Sequence, residues 1–115
     1  MVTHMVLYRI FEYEDTSGRS PFKAWFDALD AQAAAKINVA LARLAQGNAS
    51  NVKGVGGGVL EVRLDFGPGY RIYFGRDGHD VVILLGGGTK RRQQQDIEAA
   101  LDRWTDYKRR KKEAR

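Results

Sequence analysis

The chain has 115 residues, no cysteine, two histidines and a formal net charge of +5. That length suits one domain with a modest hydrophobic core. The missing thiols exclude disulfides, thiolate nucleophiles and cysteine-based metal sites, and His4 and His79, far apart in sequence, are too few for a zinc site. No cofactor or metal is therefore expected.

The positive balance favours an acidic partner, nucleic acid or protein. No apolar run reaches membrane-spanning length, so no membrane partner is expected. The start, MVTHMVLYRIFEY, lacks a charged n-region, an apolar h-region and a small-residue cleavage site. A cytoplasmic protein without a signal peptide is expected, and Met5 is an alternative first residue.

Residues 6–13, VLYRIFEY, alternate with period two and predict a first strand. EDTSGRS is a loop. Ser20 followed by Pro21 reads as an N-cap and first helical residue, and Phe22, Trp25, Phe26 and Leu29 line one face of a short helix. Asp30 caps a second helix, residues 31–46, with Ile37, Leu41 and Leu44 on its apolar stripe and Gly47 as its stop. The two form an αα-hairpin.

Residues 47–58, GNASNVKGVGGG, read as a long, flexible irregular stretch. GVGGGV lacks the third glycine of GxGxxG, and GGGTK lacks P-loop spacing, so neither supports nucleotide binding. No serine sits in a nucleophile-elbow context.

Three strands are predicted next, at 59–66, 70–77 and 80–86, joined by FGPG and DGH turns into a meander. VVILL is apolar throughout and should lie inside the sheet with both faces covered. A last helix from about Lys90 carries Ile97, Ala100, Leu101 and Trp104 as its buried stripe. KRRKKEAR, residues 108–115, is expected as a frayed basic tail beyond a domain of residues 1–107. The expected fold class is α+β in the order β-αα-βββ-α. A twisted, mainly antiparallel sheet carries the αα-hairpin on one face, followed by a C-terminal helix.

Parity places Leu60, Val62, Leu64, Ile72 and Phe74 toward the helices, and Glu61, Arg63, Asp65, Arg71 and Tyr73 on the opposite face. One register set by the turn pairs Arg63 with Tyr73 and Asp65 with Arg71. Lys53, in the preceding loop, and Lys90, Arg91 and Arg92, after the last strand, can join this open face. Such a basic surface with a phenol suits a phosphodiester. Arginine grips phosphate in bidentate fashion, a lysine crowded by cations loses proton affinity, and tyrosine can stack on a base or donate a proton. With RNA, the substrate's own 2′-OH can attack the phosphate. The same residues also fit a solvated surface with an Asp65–Arg71 ion pair, or a simple acidic-partner surface.

The segments PFKAWFDALD, NVKGVGGGVLEVRLDFGPGYRIYFGRDG and VVILLGGGTKRRQQQDIEAALDRW together resemble the addiction-module killer branch of the RelE/ParE toxin superfamily, near the HigB and phage Gp49-like proteins. The resemblance spans residues 6–105. It implies a RelE-like fold and the toxin of a type II toxin–antitoxin system, with a helix-turn-helix antitoxin as partner and DNA met only through the antitoxin complex. RelE- and HigB-like members are metal-independent endoribonucleases that cut mRNA on the ribosome. By this resemblance Arg63 and Arg71 bind the phosphate, Lys53 or Lys90 serves as base or stabiliser, and Tyr73 stacks or assists the leaving group. Arg76, Arg91 and Arg92 become RNA-binding residues.

RelE-type toxins place further catalytic side chains near the C-terminus. Here that end is helical, and Tyr107 reads as a helix-surface residue. The basic tail is expected to contact ribosomal RNA or the antitoxin. ParE-like relatives share the fold but poison DNA gyrase without enzymatic activity, and a catalytically dead antitoxin partner is a third alternative.

Overall fold

In the computed structural model, which describes residues 7–114, the two N-terminal helices begin where their capping residues dictate. His4, Met5, Val6 and Arg115, on which some of the expectations above rest, lie outside the described residues. Helix α1 (Pro21–Asp27) opens with proline at its first turn and the Ser20 hydroxyl accepting from the Lys23 N–H at 3.0 Å. Helix α2 (Ala31–Ala45) is capped by the Asp30 carboxylate, which accepts from the Ala33 N–H at 2.8 Å.

Five strands form one mixed sheet: β1 (Arg9–Glu12), β2 (Val52–Gly56), β3 (Val59–Leu64), β4 (Tyr70–Asp77) and β5 (Val81–Thr89). The spatial order is β1-β5-β4-β3-β2, antiparallel from β2 to β5, with β1 parallel to β5. A 3₁₀ turn, Lys90–Arg92, leads into the long helix α3 (Gln93–Glu113). The α+β class matches expectation, as does the element order apart from one added strand, β2, and β5 lies inside the sheet with both faces covered, as its apolar run requires.

Four expectations are corrected. The glycine-containing stretch 47–58 is not irregular throughout: Val52–Gly56 pairs antiparallel with β3, with a bulge at Val55. Two β-branched valines and an available neighbouring edge override the poor strand propensity of glycine. Second, Gly86, Gly87 and Gly88 continue β5 rather than breaking it. Their missing side chains admit neighbours: a Cβ on Gly87 would lie 2.3 Å from the Trp25 ring, and one on Gly88 would lie 1.9 Å from Asp96 Oδ2.

Third, residues 108–113 of the expected tail are not a frayed extension, because α3 continues through Glu113. Arg110 is ion-paired with Asp106 and donates to the Glu14 carbonyl, and Lys111 is ion-paired with Asp77.

The last correction concerns the open face. The αα-hairpin takes one side of the sheet, where Phe22, Ile37 and Leu44 pack on Val62, Ile72, Phe74, Val82 and Leu84. Helix α3 covers the other, where Ala100 and Trp104 pack on Val59, Tyr73, Ile83 and Leu85. An apolar stripe on α3 had to be buried somewhere, and the only remaining sheet face carried the polar set.

Candidate functional site

Strand pairing decides which of the expected residues meet. The β3–β4 register pairs Glu61 with Tyr73, Arg63 with Arg71 and Leu64 with Tyr70, two residues away from the expected Arg63–Tyr73 pairing. Parity survives the shift. The closing turn spans Phe66–Gly69, with the Gly69 N–H donating to the Phe66 carbonyl at 3.0 Å, and Gly67 and Gly69 both take positive φ. The turn therefore leaves Asp65 outside the ladder, exposed, and Arg71 meets Glu61 instead.

Arg71 is 1% exposed. Its Nη1 donates to the carbonyls of Gly69 and Tyr70 at 3.0 and 3.2 Å, and its Nε lies 3.7 Å from Glu61 Oε1. Glu61 is wholly buried, and its second oxygen accepts from Gln93 Nε2 at 2.8 Å. Tyr73 is buried beside them, and its hydroxyl lies near Glu61 without a hydrogen bond of good geometry. Burial, then the charges of Glu61 and Asp96, push the Tyr73 phenol well above its ordinary range, so it is a neutral group at any working pH.

Two α3 residues complete this layer. Asp96 sits over Gly88, and burial raises its pKa against the opposing pull of Arg92 and Arg103. Arg103 sits over Gly86 and donates to the Leu85 carbonyl at 2.9 Å, and burial lowers its pKa.

The exposed residues lie outside this buried layer. Lys53 is directly opposite Glu61 on edge strand β2, and it shares a depression of about 320 Å³ with Ser50, Asn51, Arg63 and Asp65. Arg63 bridges the two layers: its side chain is 44% exposed while its Nε is 3.9 Å from Glu61 Oε1. Lys90 is exposed, and its N–H donates to the Gly69 carbonyl at 2.9 Å. That places Lys90 next to the Arg71 guanidinium, since the Lys90 Cβ and Arg71 Nη1 both pack close to Gly69. Arg91 and Arg92 are exposed beside Gln94 and Gln95.

The structure thus brings Lys53, Arg63, Arg71 and Lys90 to one end of the sheet, with Tyr73 beneath, but it does not make Arg71 or Tyr73 part of an open surface. Arg76 does not join them: it shares the parity of Ile72 and Phe74 and lies over the Tyr8 ring at 5.7 Å. Tyr107 faces the sheet rather than solvent, stacking on Trp104 with centroids 5.3 Å apart and donating to Asp77 at 2.5 Å. His79 is exposed in the β4–β5 turn. Glu61, Gln93, Asp96 and Arg103 were not singled out from the sequence. Glu61 alone had a signal there, being in the same alternating set as Arg63. Among the described residues, no cluster of three or more His, Asp or Glu side chains could hold a metal, and no helix is long and apolar enough to cross a membrane.

This α+β scaffold, a mixed five-strand sheet with two N-terminal helices and a C-terminal helix, is the fold expected of a HigB-like member of the RelE/ParE toxin superfamily. The family model for phage derived protein Gp49-like (DUF891) matches residues 24–105, and the chain belongs to that family. It is also similar to an uncharacterized protein of Haemophilus influenzae, 42% identical over 80 residues, which is 69% of this chain and 81% of that protein. Membership implies a toxin of the RelE/HigB kind.

Proposed function

We propose that the protein is the toxin of a type II toxin–antitoxin system, acting in the cytoplasm as a metal-independent endoribonuclease that cuts mRNA on the ribosome. The observation that carries this reading is the convergence of Lys53 and Arg63 on one depression, with Lys90 beside Arg71 at the same end of the sheet. Exposed cations there meet a phosphodiester directly, and a guanidinium is suited to the charge that develops on its oxygens. Lys53 or Lys90 is the candidate base for the substrate's 2′-OH. Arg91 and Arg92 extend the phosphate-binding surface along the backbone. Buried Arg71 and Tyr73 support this layer from beneath rather than touching substrate.

The partners in this reading are the ribosome with its mRNA, and a cognate antitoxin of helix-turn-helix type. The test is to express wild type and Arg63→Ala in cells and map mRNA 5′ ends. New ends in wild type, lost in the variant, support the reading. Unchanged mRNA with inhibited DNA supercoiling replaces it with a gyrase-directed toxin. Growth without arrest by a folded wild-type chain leaves neither activity standing.

A further inference from the structure

Among the described residues, Glu61 and Arg71 are the charged side chains in the buried set, 0% and 1% exposed. A buried ion pair contributes little stability over an apolar pair of the same volume, so core stability does not account for this one. The register does. Arg63 and Arg71 stand directly opposite each other on β3 and β4, and like charges at facing positions repel. Glu61 lies two residues along β3 on the same face and ion-pairs with both at longer than hydrogen-bond range, its Oε1 3.9 Å from Arg63 Nε and 3.7 Å from Arg71 Nε.

Each inner member of the trio is tied down. Arg71 donates to the Gly69 and Tyr70 carbonyls, and Glu61 accepts from Gln93 at the start of α3. Arg63 alone reaches solvent, at the depression it shares with Lys53. We propose that Glu61 is a positioning residue that holds the Arg63 guanidinium in place for a substrate phosphate, with Arg71 as its buried counter-charge and Gln93 as its anchor on α3. The phosphate role rests on the ribonuclease reading, while the ordering of Arg63 does not.

The experiment measures side-chain order at Arg63 Nε–Hε by ¹⁵N relaxation in the full chain. Three variants are compared with wild type. Glu61→Gln leaves Arg71 without a counter-charge and risks unfolding. Glu61→Leu with Arg71→Met removes both buried charges and preserves volume, and Gln93→Ala removes only the anchor. In the charge-free double variant, Arg63 is expected to fall to the order of exposed Arg91, with a smaller loss in Gln93→Ala. Unchanged Arg63 order in either folded variant overturns the proposal.

On programmed ribosomes, the double variant is expected to lose about tenfold or more in kcat with KM within about twofold, and adding Arg63→Ala should then cost less than about twofold. Full additivity of the two losses would reduce Glu61 to a structural role. A wild-type chain that does not cleave, yet loses Arg63 order in the variants, overturns the ribonuclease reading and leaves the positioning role intact.

Discussion

Tyr73 is the residue whose setting differs most from the role its sequence position suggested. A phenol on an exposed face could stack on a base, but this one is 1% exposed beneath α3. Among the described residues none hydrogen-bonds its hydroxyl with good geometry, so Tyr73→Phe breaks no well-formed bond. The expected change in unfolding free energy is under about 1 kcal/mol by urea titration, against the several kcal/mol lost when a core aromatic is cut to alanine.

Tyr107 makes a second residue-scale prediction, this one about pH. Burial first, then its hydrogen bond to Asp77, raises its pKa from 10.0 to about 12. A phenol with a raised pKa stays neutral in the folded chain after the unfolded chain has ionised. Its contribution is therefore fully present below pH 10 and is lost as pH rises through about 12. Thermal midpoints should fall between those values in wild type and fall less steeply in Tyr107→Phe. Equal slopes would show that Tyr107 titrates normally.

At the scale of elements, Trp104 and the glycines beneath it decide how closely α3 can dock. A Cβ on Gly75 would come within 2.5 Å of the Trp104 ring, and Trp104 is itself buried against β4 and β5. Gly75→Ala is expected to cost about 1–3 kcal/mol by overpacking and to speed amide exchange along α3 more than along α2. Unchanged exchange would mean that the ring moves aside without disturbing the helix.

The same elements show what was legible in advance. Ser20 with Pro21, and Asp30, mark helix starts through local hydrogen bonding, which sequence carries directly. Parity on β3 and β4 was equally legible, because a one-residue slip would bury Arg63 among the apolar set. The two-residue register shift was not legible, since it depends on how the Phe66–Gly69 turn closes. Strand β2 was hidden by its glycines, whose pairing is a tertiary outcome. The burial of Arg71 and Tyr73 depended on where α3 docks, and without that docking Glu61 was one polar residue among several on its face.

For the molecule as a whole, the net charge of +5 matters less than its distribution. Arg110 and Lys111 are paired to the chain's own Asp106 and Asp77, so part of the basic C-terminal segment is committed to holding α3 down. Lys53, Arg63, Lys90, Arg91 and Arg92 instead stand exposed at the proposed RNA-binding end. Binding of a single-stranded RNA releases about 0.7 counterion per phosphate neutralised, so each lost contact flattens the log–log salt slope by about that amount. Arg91→Ala and Arg92→Ala should each flatten the slope by about 0.7 while weakening binding similarly across sequences. Arg76→Ala should leave it unchanged, because Arg76 lies on the opposite face over Tyr8. The measurement is fluorescence anisotropy of a labelled RNA oligonucleotide titrated at several salt concentrations. A slope reduced equally by all three substitutions would mean that the RNA surface is diffuse. A slope sensitive only to Arg91 and Arg92 would localise the contact to the end of the sheet where Lys90 meets Arg71.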